Sequence, residues 1–201
     1  MSVDEAKRRL RREMQGRRRG VGAAARAAAG DAVAERVLGS PEFGAARRVA
    51  LYVALPDELP TERLLRAVLD SGRALLLPRA GAGGRLDFAA VALLDGLARG
   101  RFGALEPPPA APAAALAPSD LVLAPGVAFD RRGGRLGRGL GAYDRSLPAG
   151  RAAPVCFGLG FAFQLVDTVP EAAHDRRVDA VVTELELVRT RAPRDLAGDP
   201  G

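Results

Sequence analysis

A series of short, nearly continuous apolar runs constrains this chain more than any other feature. They occupy residues 49–55, 74–78, 86–91, 121–124, 155–159 and 180–185. Such runs suit strands buried on both faces rather than strands with one wet side. Helical patterns fall between them, at residues 61–69 and from about residue 142. The alternation predicts an α/β fold, a three-layer sandwich whose mostly parallel sheet is covered by helices. A helical N-terminal preface precedes it, at residues 3–19 and 22–38, the second helix closed by Gly39. Residues 104–118 are rich in Pro and Ala and read as an irregular connection. No linker separates two cores, so residues 1–190 are expected to form a single domain and 191–201 a disordered tail.

Composition narrows the chemistry. A chain of 201 residues can bury a core without disulfides. Cys156 and His174 are its only cysteine and histidine, which excludes zinc fingers and iron–sulfur clusters. No apolar run approaches the roughly 20 residues of a membrane span, and the first residues lack the apolar stretch of a secretion signal. A soluble, cytoplasmic protein with no membrane partner is expected. The formal net charge is +6, but residues 1–20 alone carry eight basic side chains against Asp4, Glu5 and Glu13. The basicity therefore belongs to the first helix. Its apolar stripe is Val3, Ala6, Leu10 and Met14, and at 100° per residue Lys7, Arg11 and Arg18 lie along one edge. Lys7 is the only lysine; every other basic residue is Arg.

The richest segment follows the run at 121–124. Gly133, Gly134, Gly137, Gly139 and Gly141 alternate with Arg135 and Arg138, and a helix begins near Ala142. Glycines permit positive φ and close approach of backbone to ligand. Consecutive N–H groups ahead of a helix suit an anion, and arginines offer paired donors to phosphate or carboxylate. In α/β sheets such a loop lies at the carboxyl ends of the strands, where ligands bind. It is neither a P-loop, because no Gly-Lys-Ser/Thr is present, nor the dinucleotide fingerprint. The bland alternative is a glycine-rich turn with solvated arginines.

Residues 125–145 resemble the signature P-G-x-A-F-D-x-x-G-x-R-L-G-x-G-x-G-Y-Y-D of the 5-formyltetrahydrofolate cyclo-ligase (methenyltetrahydrofolate synthetase) family. The matches run from Pro125, Gly126, Ala128, Phe129 and Asp130 through Arg135, Leu136, Gly137, Gly139 and Gly141 to Tyr143 and Asp144. Lys7 and Arg11 resemble the family's K-x-x-x-R, Glu58 and Thr61 its E-x-x-T, and Gln164, Pro170, His174, Asp175, Asp179, Thr183 and Glu184 its C-terminal pattern. One departure stands out: Ala142 replaces the first of two tyrosines.

The resemblance implies an ATP- and Mg²⁺-dependent cyclisation of 5-formyltetrahydrofolate to 5,10-methenyltetrahydrofolate, with ADP and phosphate released. It implies that Lys7 and Arg11 contact ATP phosphates, and that the loop Arg135, Leu136, Gly137, Arg138, Gly139, Leu140, Gly141, Ala142 and Tyr143 wraps the nucleotide. Val53, Glu58, Arg138, Gly139, Leu140, Gly141 and Ala142 would contact the folate. Asp144 and Asp175 would hold Mg²⁺, directly or through water. Lys7 and Arg138 are the expected catalytic cations. The partners are then small molecules, with no nucleic acid, and the enzyme is expected to be a monomer. Two other readings stand beside this one: a nucleic-acid-binding module using the basic first helix, and a relative with altered substrate or lost activity.

Several residues have ordinary readings. His174 is expected to be a polar structural residue, Cys156 an inert buried thiol, and the run Arg17, Arg18, Arg19 a solvated helix end. Phe157, Phe161 and Phe163 could line a pterin site, but core packing is the default for aromatics in apolar segments.

Overall fold

The structure is a computed structural model that describes residues 2–101, 103–150 and 153–190. The tail expected at 191–201 lies outside the described residues. The chain opens with α1 (Val3–Arg19), whose N-terminus is closed by a capping box between Ser2 and Glu5. Then come α2 (Ala23–Leu38), the short α3 (Pro41–Ala45), β1 (Arg48–Ala50), α4 (Glu62–Asp70), β2 (Ala74–Ala80) and β3 (Leu86–Val91). A small hairpin, β4 (Ala98–Arg99) and β5 (Leu105–Glu106), precedes β6 (Leu121–Pro125). The second half holds β7 (Ala128–Asp130), β8 (Arg135–Leu136), α5 (Ala142–Ser146), β9 (Val155–Leu159), β10 (Leu165–Val166), β11 (Ala180–Val182) and β12 (Leu187–Arg189).

Seven strands form the main sheet in the order β12-β11-β9-β6-β1-β2-β3. The run from β11 to β2 is parallel, and β12 and β3 close the edges antiparallel. This is the mostly parallel α/β sheet expected. Side chains alternate across it. Val49, Leu51, Leu121, Leu123 and Phe157 face the layer of α2 and α4. Ala50, Leu76, Val122, Ala124 and Cys156 face the other side. There the cover is thinner than a helical layer: Phe129 from β7, Tyr143 of α5 and Leu147 just after it, and Ala114 and Leu116 from the 104–118 connection. Phe157 and Phe161 are core residues, and Phe163 stacks on Phe161 at 5.4 Å.

The sequence overstates two strands. Ladder pairing of β1 stops at Ala50 instead of continuing to residue 55. The Thr61 hydroxyl takes over the next backbone groups, donating to Tyr52 O (2.8 Å) and accepting from Ala54 N–H (3.2 Å). The chain thus peels away from the sheet at its carboxyl edge. In the same way β11 ends at Val182, because the Thr183 hydroxyl accepts the N–H groups of Leu185 and Glu186 and turns the chain into β12. The sequence reading also missed a three-stranded sheet, β10-β7-β8. Its strands are too short to show a period. Met14 of α1 packs on it with Val127, Ala128, Leu136 and Val169, so α1 docks directly on the hairpin that carries the glycine-rich loop.

Strand order reverses between β1 and β6: from β1 the chain moves outward to β2, then returns to β6 and continues to β9 and β11. Ligands of open α/β sheets bind at such a switch point, beyond the carboxyl ends of the strands. Among the described residues no helix is long and apolar enough to cross a membrane.

Candidate active site

The glycine-rich loop joins β8 to α5 at that switch point. Gly139 and Gly141 have φ of 110° and 58°, a left-handed region that side chains resist. Three anchors hold the loop. Leu136 is buried among Met14, Val127 and Val169. Arg11 of α1 donates through Nε to Gly137 O at 2.9 Å. Arg145 donates to Leu140 O (2.5 Å) and to Gly84 O (2.8 Å), tying the loop tip to the turn between β2 and β3. Leu136 is thus a packed anchor, 2% exposed, that also borders the polar cleft. Helix α5 has only five residues, so the anion-binding power expected of a helix N-terminus falls instead to cationic side chains.

Two clefts open on either side of this loop. The first, of about 900 Å³ including its mouth, is mainly apolar and lined by Tyr52, Val53, Pro125, Ala142 and Tyr143, with the buried carboxylate of Glu58. The second, of about 1360 Å³ including its open mouth, is polar and lined by Lys7, Arg11, Asp144, Arg145, Asp175 and Arg176. Arg135, Gly137, Leu140, Gly141 and Asp144 border both clefts. The loop is thus a partition, and Leu140, 50% exposed, stands at its tip.

The polar cleft is electrostatically prearranged. Lys7 is buried and forms an ion pair with Asp175. The same carboxylate oxygen, Oδ2, accepts the N–H of Ala172 at 2.7 Å, while Oδ1 faces the exposed His174 ring at 3.8 Å. Burial by itself raises the Asp175 pKa, but the hydrogen bonds from Lys7 and Ala172 and the positive charges nearby together hold it below its usual range. Arg135 donates to Asp144 Oδ1 at 2.7 Å, and its guanidinium lies 5.4 Å from the Tyr143 ring centre. The Arg176 N–H reaches the same Oδ1 at 3.2 Å. Asp144 Oδ2 takes no hydrogen bond from the described residues. Burial pushes the Tyr143 phenol above its ordinary range and the Cys156 thiol up to about 12, so neither ionises at neutral pH.

The residue types can be tested against a metal. Among the described residues no cluster of three or more His, Cys, Asp or Glu could hold an ion. Two carboxylates in the polar cleft, each with an oxygen not engaged in a hydrogen bond, fit a cation that keeps several waters and takes its other ligands from phosphates, as Mg²⁺ does.

Sequence reasoning and structure diverge at several residues. Arg138 does not border the polar cleft; it lies on the apolar side, 3.6 Å from Asp57 and 3.9 Å from Glu58. Arg18 is not part of a solvated helix end. It is 1% exposed, ion-paired with Asp57 and directed at Gly126 O. Its place on the edge of the apolar stripe, beside Lys7 and Arg11, was the signal. Arg17 covers the Phe163 ring at 4.8 Å. Tyr52 and Arg176 were not assigned to the site, and no local pattern marks them.

Much of the signature is scaffold. Gln164 donates to Gly126 O and Val127 O at 3.0 and 2.8 Å, and Glu184 accepts from Ala162 N–H. Buried Asp130 accepts the N–H groups of Arg132, Gly134 and Val169, each at 2.9 Å. Burial raises its pKa, but these hydrogen bonds and Arg132 prevail and lower it. Its stabilising effect is accordingly present above the carboxyl's unfolded pKa and lost as pH falls through the lower folded value. Asp130→Ala, which orphans the buried Gly134 and Val169 N–H donors, is expected to lower the unfolding free energy by about 2–6 kcal/mol, at roughly 1–3 kcal/mol for each donor left buried and unpaired. Denaturant titration at neutral pH checks this; a loss under about 1 kcal/mol would show that water replaces the carboxylate.

A cationic cleft and an apolar cleft sharing one wall suit an α/β enzyme that presents a phosphorylated nucleotide to a second, ring-bearing substrate. Comparisons with known proteins sharpen this class. The model of the 5-formyltetrahydrofolate cyclo-ligase family matches residues 3–184. The chain is 27% identical to the 5-formyltetrahydrofolate cyclo-ligase of Mus musculus, over 92% of this chain and 96% of that protein. It is 35% identical to that of Mycolicibacterium smegmatis, over 68% of this chain and 73% of the relative. The NMR structure of Aquifex aeolicus 5,10-methenyltetrahydrofolate synthetase superposes with a TM-score of 0.79 at 32% identity, covering 94% of this chain and 95% of that one. The chain belongs to the 5-formyltetrahydrofolate cyclo-ligase family.

Proposed function

We propose that the protein catalyses the ATP-dependent cyclisation of 5-formyltetrahydrofolate to 5,10-methenyltetrahydrofolate, releasing ADP and phosphate. The observation that carries this reading is the shared wall. A formamide carbon is a weak electrophile and its oxygen a poor leaving group. Transfer of the γ-phosphoryl group to that oxygen remedies both, after which N10 attacks the carbon and phosphate departs. The two substrates must meet end to end, and the two clefts meet at Arg135, Gly137 and Asp144.

In this reading the triphosphate lies in the polar cleft against Lys7 and Arg11, and the folate lies in the apolar cleft against Val53, Glu58 and Tyr143. Glu58, buried with Oε2 accepting Leu55 N–H at 3.1 Å, keeps Oε1 for the N–H donors of a pterin ring. Arg135 sits between the clefts, where charge develops on the transferred group, and preorganised cations act most strongly at such a point. Mg²⁺, held by Asp144 and Asp175 directly or through water, would neutralise phosphate charge. Lys7 must exchange Asp175 for phosphate as ATP enters. Three cations of α1 — Lys7, Arg11 and Arg18 — point into the clefts or their walls, so the feature that suggested nucleic-acid binding has another use. On this reading the enzyme works in the cytoplasm as a monomer, within one domain spanning residues 1–190.

The test is an absorbance assay for the methenyl chromophore with parallel measurement of ADP. Product and ADP are expected to appear one for one, and only with ATP and Mg²⁺ together. Methenyl product without ADP would overturn the proposal. Ala142 lines the apolar cleft next to Leu140, and Ala142→Tyr is expected to tighten folate or ATP binding. An aromatic stack on a base-like ring is worth about 1–3 kcal/mol. Unchanged KM for both substrates in a folded variant would show that position 142 does not face a ligand.

A further inference from the structure

Arg18 is the largest fully buried side chain among the described residues, and no step of the proposed reaction uses it. A buried guanidinium is costly unless its partners are well placed. Arg18 Nη2 is ion-paired with Asp57 Oδ2, Nη1 points at Gly126 O (3.5 Å), and Nε has no hydrogen-bond partner among the described residues. Gly126 lies in the wall of the apolar cleft. The turn holding Asp57 is tied down a second time, by Arg26, which donates to Glu58 O at 3.2 Å and to Arg18 O at 2.8 Å. Asp57 is therefore fixed from behind by the buried Arg18, with the half-buried Arg26 bracing its turn, while its other oxygen, Oδ1, faces outward to Arg138 Nη2 at 3.6 Å.

Arg138 is in a different condition. Its side chain is 42% exposed, and its contacts with Asp57 and Glu58, at 3.6 and 3.9 Å, are longer than hydrogen bonds. The two carboxylates attract the guanidinium to the mouth of the apolar cleft without consuming its donors. Nothing else among the described residues pairs with it.

We infer that Asp57, locked by Arg18, is a positioning residue that holds Arg138 over the apolar cleft so that its donors meet an oxygen of the bound folate. The inference rests on the folate reading above. It makes Asp57 a determinant of folate affinity and not of ATP affinity, because neither Asp57 nor Arg138 borders the polar cleft.

Asp57→Asn, Asp57→Glu, Arg138→Gln and the Asp57→Asn/Arg138→Gln pair, each in the full chain, test it. Asp57→Asn is expected to raise the KM for 5-formyltetrahydrofolate about tenfold, the effect of one misplaced contact to a charged group. The KM for ATP should change less than about twofold, and Asp57→Glu should recover most of the loss. In the Arg138→Gln background, Asp57→Asn should add almost nothing, since its effect runs through Arg138. A purely structural role predicts something different: both KM values rise together, or the two substitutions multiply, and either outcome overturns the inference. Calorimetric binding of 5-formyltetrahydrofolate separates the two levels. Wild type that binds with an Asp57→Asn Kd unchanged overturns the inference alone. Wild type that does not bind at all overturns the folate reading and this inference with it.

Discussion

Lys7→Arg is expected to lower kcat by about 10- to 100-fold although it conserves charge, a little less than the cost of deleting a well-placed transition-state donor. The reason is geometric. Lys7 is buried at the edge of the polar cleft, where its ammonium is paired with Asp175 of the 172–175 turn. A compact ammonium on a thin stem fits there and can swing from Asp175 to a phosphate oxygen; a planar guanidinium would hold the carboxylate in a two-pronged grip and needs more width. Every other basic residue of the chain is Arg, so a neutral requirement for charge would be met by Arg here too. Arg8, exposed on the outer side of the same helix, is the control, and Arg8→Lys should leave kcat and KM unchanged. Steady-state kinetics on both folded variants decides. Wild-type kcat in Lys7→Arg would remove Lys7 from the reaction.

Asp144→Asn is expected to reduce kcat/KM by about 100-fold and to raise the Mg²⁺ concentration needed for half-maximal rate, as loss of a charged group beside a metal and phosphates would. Asn can keep the Oδ1 contacts to Arg135 and the Arg176 N–H, so the loop should remain folded. What disappears is the negative charge and the uncommitted second oxygen. The buried Arg135 guanidinium also loses its counter-charge, which should shift its balance toward phosphate. ADP formation measured across a Mg²⁺ titration checks the assignment. A curve superposable on wild type would show that Asp144 organises Arg135 and has no part in holding the ion.

Legibility in the sequence followed physical scale. The buried strands at 74–78, 121–124 and 155–159 could be read because a strand segment covered on both faces is apolar, and the structure extends the first to residue 80 and the second to 125. Helix α1 was legible from end to end, because an apolar stripe at helical spacing runs along it. The glycine-rich loop announced its own chemistry through residue types. The ends of β1 and β11 were not legible, because Thr61 and Thr183 terminate them by hydrogen bonds from outside the strands.

The site divides along the same line. Residue types pointed to the glycine-rich loop as a phosphate site, and the family resemblance named Lys7, Arg11 and the two carboxylates as candidates. Which cation faces which cleft was a matter of tertiary structure alone. Arg138 and Arg135 are three positions apart, yet one sits between both clefts and the other leans on Asp57, some eighty residues earlier in the chain. Arg18 looked like one of three solvated arginines until the β1 turn and Gly126 closed over it. A charge's role depends on what surrounds it, through desolvation and pairing that fall off within a few ångströms. The sequence states which charges exist; only the folded chain brings distant segments close enough to decide which are buried, which are paired and which are left for a ligand.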